Sequence, residues 1–147
     1  MKPEYHQSGR AWVAVVRAYN TCSSVMNKQI EPTGFNLLEH EVLINLLLNP
    51  GQSQQQLATR CFSAKSGISG IVNKLEKQGI LKRLPDKKDA RKKLLFLSDI
   101  GTEQATVNFR IQNEIIQTMA SVYSAESILE LETGMNSMTE LLKERYL

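Results

Sequence analysis

Ser63-Ala-Lys-Ser-Gly-Ile-Ser-Gly-Ile-Val-Asn-Lys-Leu-Glu-Lys-Gln-Gly79 runs directly into Ile80-Leu-Lys-Arg-Leu84, Pro85-Asp-Lys-Lys-Asp-Ala-Arg-Lys-Lys93 and Leu94-Leu-Phe-Leu97. The first segment spaces Ile68, Ile71, Val72 and Leu75 at i, i+3, i+4 and i+7, one narrow apolar stripe of a helix. Its other face carries Ser66, Ser69, Gly70, Asn73 and Lys77, all small, polar or basic. Gly79 can take the left-handed conformation that ends a helix, which lets Ile80 fold back onto Leu75. Two short apolar runs, residues 80–84 and 94–97, then flank a loop too charged to pack. Helix, strand, basic loop and strand make a winged helix.

Charge points the same way. Residues 60–93 hold eleven Lys and Arg against three acids, a net charge of +8 in a chain whose total is +3. The remainder of the chain is therefore acidic. A basic centre on an acidic frame fits a polyanionic partner such as duplex DNA.

Upstream of this stretch the chain reads as helices. Residues from about 4 to 31 form one long helix with Trp12, Val15, Val16, Tyr19, Cys22, Met26 and Ile30 on its apolar face, stopped by Pro32 and Gly34. Asn36 and Glu39 form a capping-box pattern for a second helix, whose body at 42–48 is apolar on nearly every side and should be buried. Ser53 and Gln56 repeat the pattern for a short third helix over residues 54–60, with Leu57 and Cys61 facing inward. A short turn at Phe62 leads into the helix at 64–78, with Ser63 as its expected cap. This is helix-turn-helix spacing, and the second helix of such a pair enters the major groove by its N-terminal half.

Downstream, Ser98 caps a long helix to about residue 122, and Ser124 starts the last one. Ile128, Leu131, Met135, Met138 and Leu142 repeat at 3-4-3-4 spacing, a seam that wants a partner helix. Long helices at both ends exceed what one small core can bury. They are expected to bury each other across a two-fold axis, giving a homodimer.

At 147 residues this is one domain, 1–147. The expected fold is mainly α with a small β-hairpin wing: a winged helix-turn-helix lobe at about 35–101, flanked by N- and C-terminal dimerisation helices at 1–34 and 102–147. No apolar run reaches the roughly 18–20 residues of a membrane span, and the N-terminus does not lead into a signal-peptide core. Cys22 and Cys61 form no CxxC pair, so no metal or other cofactor is expected and a reducing cytoplasm is the default compartment. His6 and His40 lie in separate helices, no serine sits in a nucleophile motif, and no carboxylate pair is evident. An enzyme is not expected.

Four stretches carry a family likeness. Leu57-Ala58 precedes the recognition helix. Leu75-Glu76-Lys77-Gln78-Gly79-Ile80-Leu81-Lys82-Arg83 resembles a Leu-Glu-x-x-Gly-Leu-Val-x-Arg pattern, Asp86-Lys87-Lys88-Asp89-Ala90-Arg91 a wing signature Asp-x-x-Asp-x-Arg, and Leu97-Ser98-Asp99-Ile100-Gly101 a Leu-Thr-x-x-Gly pattern. Together they resemble the MarR family, the multiple-antibiotic-resistance type of winged-helix transcription regulators. The resemblance implies a homodimer that binds a pseudo-palindromic operator, usually as a repressor. Release then follows binding of a small aromatic or anionic effector, or cysteine oxidation. By the same analogy Arg91 reaches into the minor groove and Asp89 braces it. An Arg at a loop tip suits a narrow, negative groove, and a carboxylate can fix its fork.

The expected DNA-binding residues are Lys65, Ser66, Ser69, Gly70, Asn73 and Lys74 on the helix and Lys87, Lys88, Asp89, Arg91 and Lys92 on the wing. Asn73 is expected to bond bidentately to adenine. Gly67 and Gly70 stand where the family often has Thr and a long polar or basic residue, which throws direct readout onto Ser66, Ser69 and Asn73. Trp12, Arg17, Tyr19 and His40 are the candidates for an effector pocket, though Trp12 and Tyr19 suit plain core better and His40, near the start of a helix, also suits a surface or partly buried position. Cys22 and Cys61 are the only candidates for a redox-sensing alternative. A winged helix used for protein contact, or as a DNA-binding-deficient antagonist, is the reading from a different class.

Overall fold

Asn36 opens the lobe. Its Oδ1 accepts the Glu39 amide at 2.9 Å while a Glu39 carboxylate oxygen accepts the Asn36 amide at 3.0 Å, the expected reciprocal cap. The computed structural model describes residues 6–147; the expected start of the first helix at Glu4 lies outside the described residues. Helix α1 spans Gln7–Ile30 and passes into a 3-10 turn at Glu31–Thr33, where Pro32 sits, ended by Gly34 at φ 81°. Then follow α2 (Leu37–Leu48), β1 (Gln52–Ser53), α3 (Gln54–Arg60), α4 (Lys65–Lys77), β2 (Leu81–Pro85), β3 (Lys93–Leu97), α5 (Asp99–Ala120) and α6 (Ala125–Tyr146). This is a mainly helical chain with a winged helix-turn-helix. Contacts divide it into two units, Met1–Gln112 and Asn113–Leu147.

In the first unit α2 supplies the centre of the core. Val42, Leu43, Ile44 and Leu46 are buried, and only Leu48 at its end stands exposed. Val42, Leu43 and Leu46 pack with Leu57 and Cys61 of the third-helix region and with Ile68, Val72 and Leu75 of the stripe read from the sequence, with Ile71 half-buried beside them. Ser53 and Gln56 form the second expected capping box.

The helix α4 starts later and more simply than expected. Ala64, not Ser63, occupies the N-cap position, and no side chain caps it. The Ser63 amide is bonded back to the Ala58 carbonyl at 3.1 Å, so Ser63 belongs to the turn and is one residue too early. In that turn Phe62 holds φ 48° with its ring 99% exposed. At the far end the Ile80 amide donates to Leu75 O at 2.9 Å and the Gly79 amide to Glu76 O at 3.0 Å, with Gly79 at φ 71°. That is the expected Schellman ending.

The sheet has three strands, not two. β2 and β3 pair antiparallel with Arg83 opposite Leu95, and β1 adds to the other side of β3 with Gln52 opposite Leu95. A two-residue strand leaves no period to detect. What fixes it is the buried Gln52 side chain, whose Nε2 donates to Asn45 O and Asn49 O at 3.0 Å each.

Of the expected apolar face of α1, only Met26 and Ile30 are buried. No residue of α6 is buried: Ile128, Leu131 and Leu142 of the seam lie open while Met135 and Met138 are half-buried. Ser124 caps α6 as expected, accepting the Ser127 amide at 3.1 Å. Among the described residues no helix is long and apolar enough to cross a membrane.

Candidate nucleic-acid interface

Helix α4 buries Ile68, Val72 and Leu75, which leaves Ser66, Gly70, Asn73 and Lys77 on its exposed side and Ser69 half-buried at the margin. Steric clearance is complete at Gly70: a Cβ built there meets nothing within 4 Å, and one at Gly67 meets only Ser63 Oγ at 3.5 Å. Both glycines are in ordinary helical conformation, so each destabilises α4 by about 1 kcal/mol relative to Ala. Gly70→Ala should therefore raise the melting temperature by about 2–4 °C, read by calorimetry. A drop would show that Gly70 is needed for the fold.

Lys74, expected among the DNA contacts, is held elsewhere. Its ammonium pairs with Glu39, whose side chain is only 3% exposed. The same Glu39 serves the α2 cap, so Lys74 neutralises a buried carboxylate where α4 meets the start of α2. Asn73 is also engaged: its Oδ1 accepts from Arg83 Nη2 at 2.7 Å, while Arg83 Nη1 pairs with Glu76. An amide oxygen turned towards Arg83 is not aimed for the expected bidentate grip on adenine.

The wing loop, residues 86–92, is ordered by its own acids. Asp86 Oδ1 accepts the Lys88 amide at 2.9 Å, Asp89 Oδ1 accepts the Arg91 amide at 3.2 Å, and the Asp86 amide closes the loop on Lys92 O at 2.9 Å. These are Asx turns, in which a short carboxylate stands in for a backbone acceptor. Asp89 then grips the guanidinium itself, with Oδ1 to Nε at 3.0 Å and Oδ2 to Nη2 at 3.4 Å. Those bonds from the Arg91 side chain, then from its amide, hold the Asp89 carboxyl below its ordinary range. The carboxylate stays charged at neutral pH, and Arg91 is presented with 92% of its side chain in solvent.

Beside the wing runs an open groove of about 990 Å³. Lys65, Lys92 and Lys93 line it with Arg60, Gln54 and Ser53. Arg60, Arg83 and Lys93 were not among the expected site residues. Arg60 and Lys93 are marked in the sequence only by charge. Arg83 sits in the family-like motif, but nothing in its spacing announces a bond to Asn73.

The other candidates fare differently. His40 is fully buried: Nδ1 lies 3.0 Å from Asn108 Oδ1 and Nε2 2.9 Å from Gln112 Oε1. Asn108 Nδ2 donates to Gln104 O at 2.9 Å, which turns its oxygen to the ring. His40 thus offers an effector no free nitrogen, contrary to its expected place in a pocket, because both ring nitrogens already face side-chain amides of α5. Trp12 and Tyr19 are exposed on α1, at 54% and 71%, as is Arg17; neither aromatic belongs to the core of the first unit. The Cys61 thiol is buried beside Asn45 Nδ2 at 3.6 Å. Burial, and then the charge of Glu41, push it up to about 11, the opposite of what a reactive thiolate needs. Cys22 is half-buried.

A helix-turn-helix with a structured basic wing defines the winged-helix class of fold. Residues 33–92 match the model of the MarR family. The HTH-type transcriptional regulator MhqR of Bacillus subtilis (strain 168) is 28% identical over 137 residues, which cover 93% of this chain and 90% of that protein. AbsC, a MarR family transcriptional regulator from Streptomyces coelicolor, superposes with a TM-score of 0.84 over 99% of this chain and all of its own, at 19% identity. CouR from Rhodococcus jostii RHA1, solved with p-coumaroyl-CoA, gives 0.82 over 92% of this chain and 95% of its own at 20% identity. The chain thus shares with the MarR family a matched segment, residues 33–92, and with AbsC its fold over nearly the whole length.

Proposed function

We propose that this chain is a homodimeric repressor. Its lobe, residues 35–101, reads a pseudo-palindromic operator, and its terminal helices join the two copies. A small aromatic or anionic molecule releases it. The observation that carries the operator reading is Arg91, clamped by Asp89 at the tip of a basic loop beside an unobstructed face of α4. CouR, described as a transcriptional repressor, has been solved both on a 23-mer DNA duplex and with p-coumaroyl-CoA, which supports a duplex and an aromatic effector as partners here. Ser66, Ser69, Gly70 and Asn73 face the major groove in this reading. Arg91 enters the minor groove, and Lys65, Lys87, Lys88 and Lys92 contact phosphates. A thiol switch is the weaker route to release, because burial raises the Cys61 thiol.

The test is a gel-shift titration against the region upstream of the chain's own coding sequence, at several salt concentrations. Arg91→Ala should weaken every duplex and lower the salt-dependence slope by about one, since each neutralised phosphate releases about 0.9 counterion. Asp89→Ala removes an acid, so net charge alone would tighten binding. The clamp predicts weaker binding at every salt concentration. Tighter binding throughout would reduce the wing to a plain basic patch, and wild-type protein that shifts no duplex would sink the operator reading.

A further inference from the structure

The contact between Asn73 and Arg83 has a consequence for base selection. Asn73 lies on the exposed face of α4, seven residues after Ser66 and three after Gly70. The Arg83 guanidinium is fixed from β2 by its ion pair with Glu76, one turn further along the same helix. A guanidinium carries five donors and no acceptor. The Asn73 amide bonded to it at 2.7 Å must therefore present its oxygen inward and its Nδ2 hydrogens outward. A free asparagine grips adenine because it can accept from N6 and donate to N7 at once. Here Arg83 turns Oδ1 towards β2 and takes one of its two lone pairs, so the amide meets a base by its Nδ2 hydrogens. What remains is a donor pair, and guanine is the base whose major-groove edge sets two acceptors, O6 and N7, side by side. Adenine would turn its N6 amino group against the Nδ2 hydrogens.

We propose that Arg83, by holding Asn73 Oδ1, makes Asn73 a donor-only reader that selects guanine over adenine in the operator. Arg83 is then a positioning residue for specificity, remote from the base itself. The inference rests on the operator reading above.

A randomised duplex pool, bound and sequenced for each variant, tests it. Asn73→Ala identifies the base pair concerned, because Ala is tolerated on an exposed helical face and discrimination should fall there alone, by about three- to tenfold. Wild-type protein should enrich guanine at that position. Arg83→Met frees the amide oxygen and should move the preference there to adenine, leaving the other positions unchanged. Glu76→Gln keeps an acceptor for Arg83 and should retain guanine. A melting curve accompanies each variant; if Arg83→Met does not fold, the wild-type preference and its loss in Asn73→Ala still decide. Adenine enriched by wild-type protein, guanine retained in Arg83→Met, or a pool unchanged by Asn73→Ala would each overturn the guanine assignment while leaving DNA binding intact. Wild-type protein that enriches no duplex would overturn the operator reading, and this inference with it.

Discussion

Gly101→Ala should cost the fold more than any other single methyl group in the lobe. A Cβ at Gly101 would sit 1.9 Å from the Ile80 carbonyl oxygen and 2.9 Å from its carbon, both backbone atoms. That carbonyl cannot swing aside. It accepts the Ser98 amide at 2.9 Å and the Ser98 hydroxyl at 3.1 Å, and Ser98 Oγ in turn caps α5 by accepting the Gly101 amide at 3.0 Å. The end of α4, the foot of β2 and the start of α5 meet in these few atoms. Relief requires moving one of them, so the loss should reach or exceed the upper end of ordinary overpacking, about 3 kcal/mol. For a chain of this size that lowers the melting temperature by roughly 6–12 °C or more. Gly134→Ala is the control, since a Cβ there meets nothing within 4 Å. Melting of Gly101→Ala within a degree of wild type would show that the junction yields.

Leu131→Glu combined with Met138→Glu should abolish operator binding. Ile128, Leu131 and Leu142 stay exposed along one edge of α6, and a helix that buries none of its residues gains nothing from ordering this edge alone. If two copies cover the seam, paired glutamates place uncompensated charge in it. A monomer reaches one half-site only, and losing the linked second site should weaken operator binding about 10²- to 10⁴-fold. Light scattering should report monomers for the variant and dimers for wild type. A wild-type monomer at micromolar concentration would refute the dimer, and so would a charged variant that keeps both its mass and its affinity.

The features legible in the sequence were those whose cause is local. The Asn36 and Ser53 caps, the Gly79 ending and the Ile68–Leu75 stripe each depend on residues three to seven apart, so spacing alone announces them. The wing was legible for a similar reason: its two aspartates satisfy the loop's own amides. What escaped depends on partners far along the chain. Lys74 looked like another basic residue on a DNA-facing helix until Glu39, thirty-five positions away, claimed it. His40 looked accessible near a helix start, and only α5 closes over it. Asn73 looked free because nothing in a helical wheel shows a strand arginine. Ser63 failed on a narrower margin. The turn bond from its amide to Ala58 uses the residue that spacing had offered as a cap.

The Asx clamp on the wing also bears on the entropy of association. A free arginine side chain carries on the order of 2 kcal/mol of rotamer freedom, which ordinarily disappears at the moment of docking. Here Asp89 restrains the guanidinium at Nε and Nη2 and the main chain at the Arg91 amide before any duplex arrives. Part of that disorder is lost when the chain folds rather than when it binds. Encounter with a groove then meets an arm whose disorder is already reduced, so less of the binding free energy goes to ordering it.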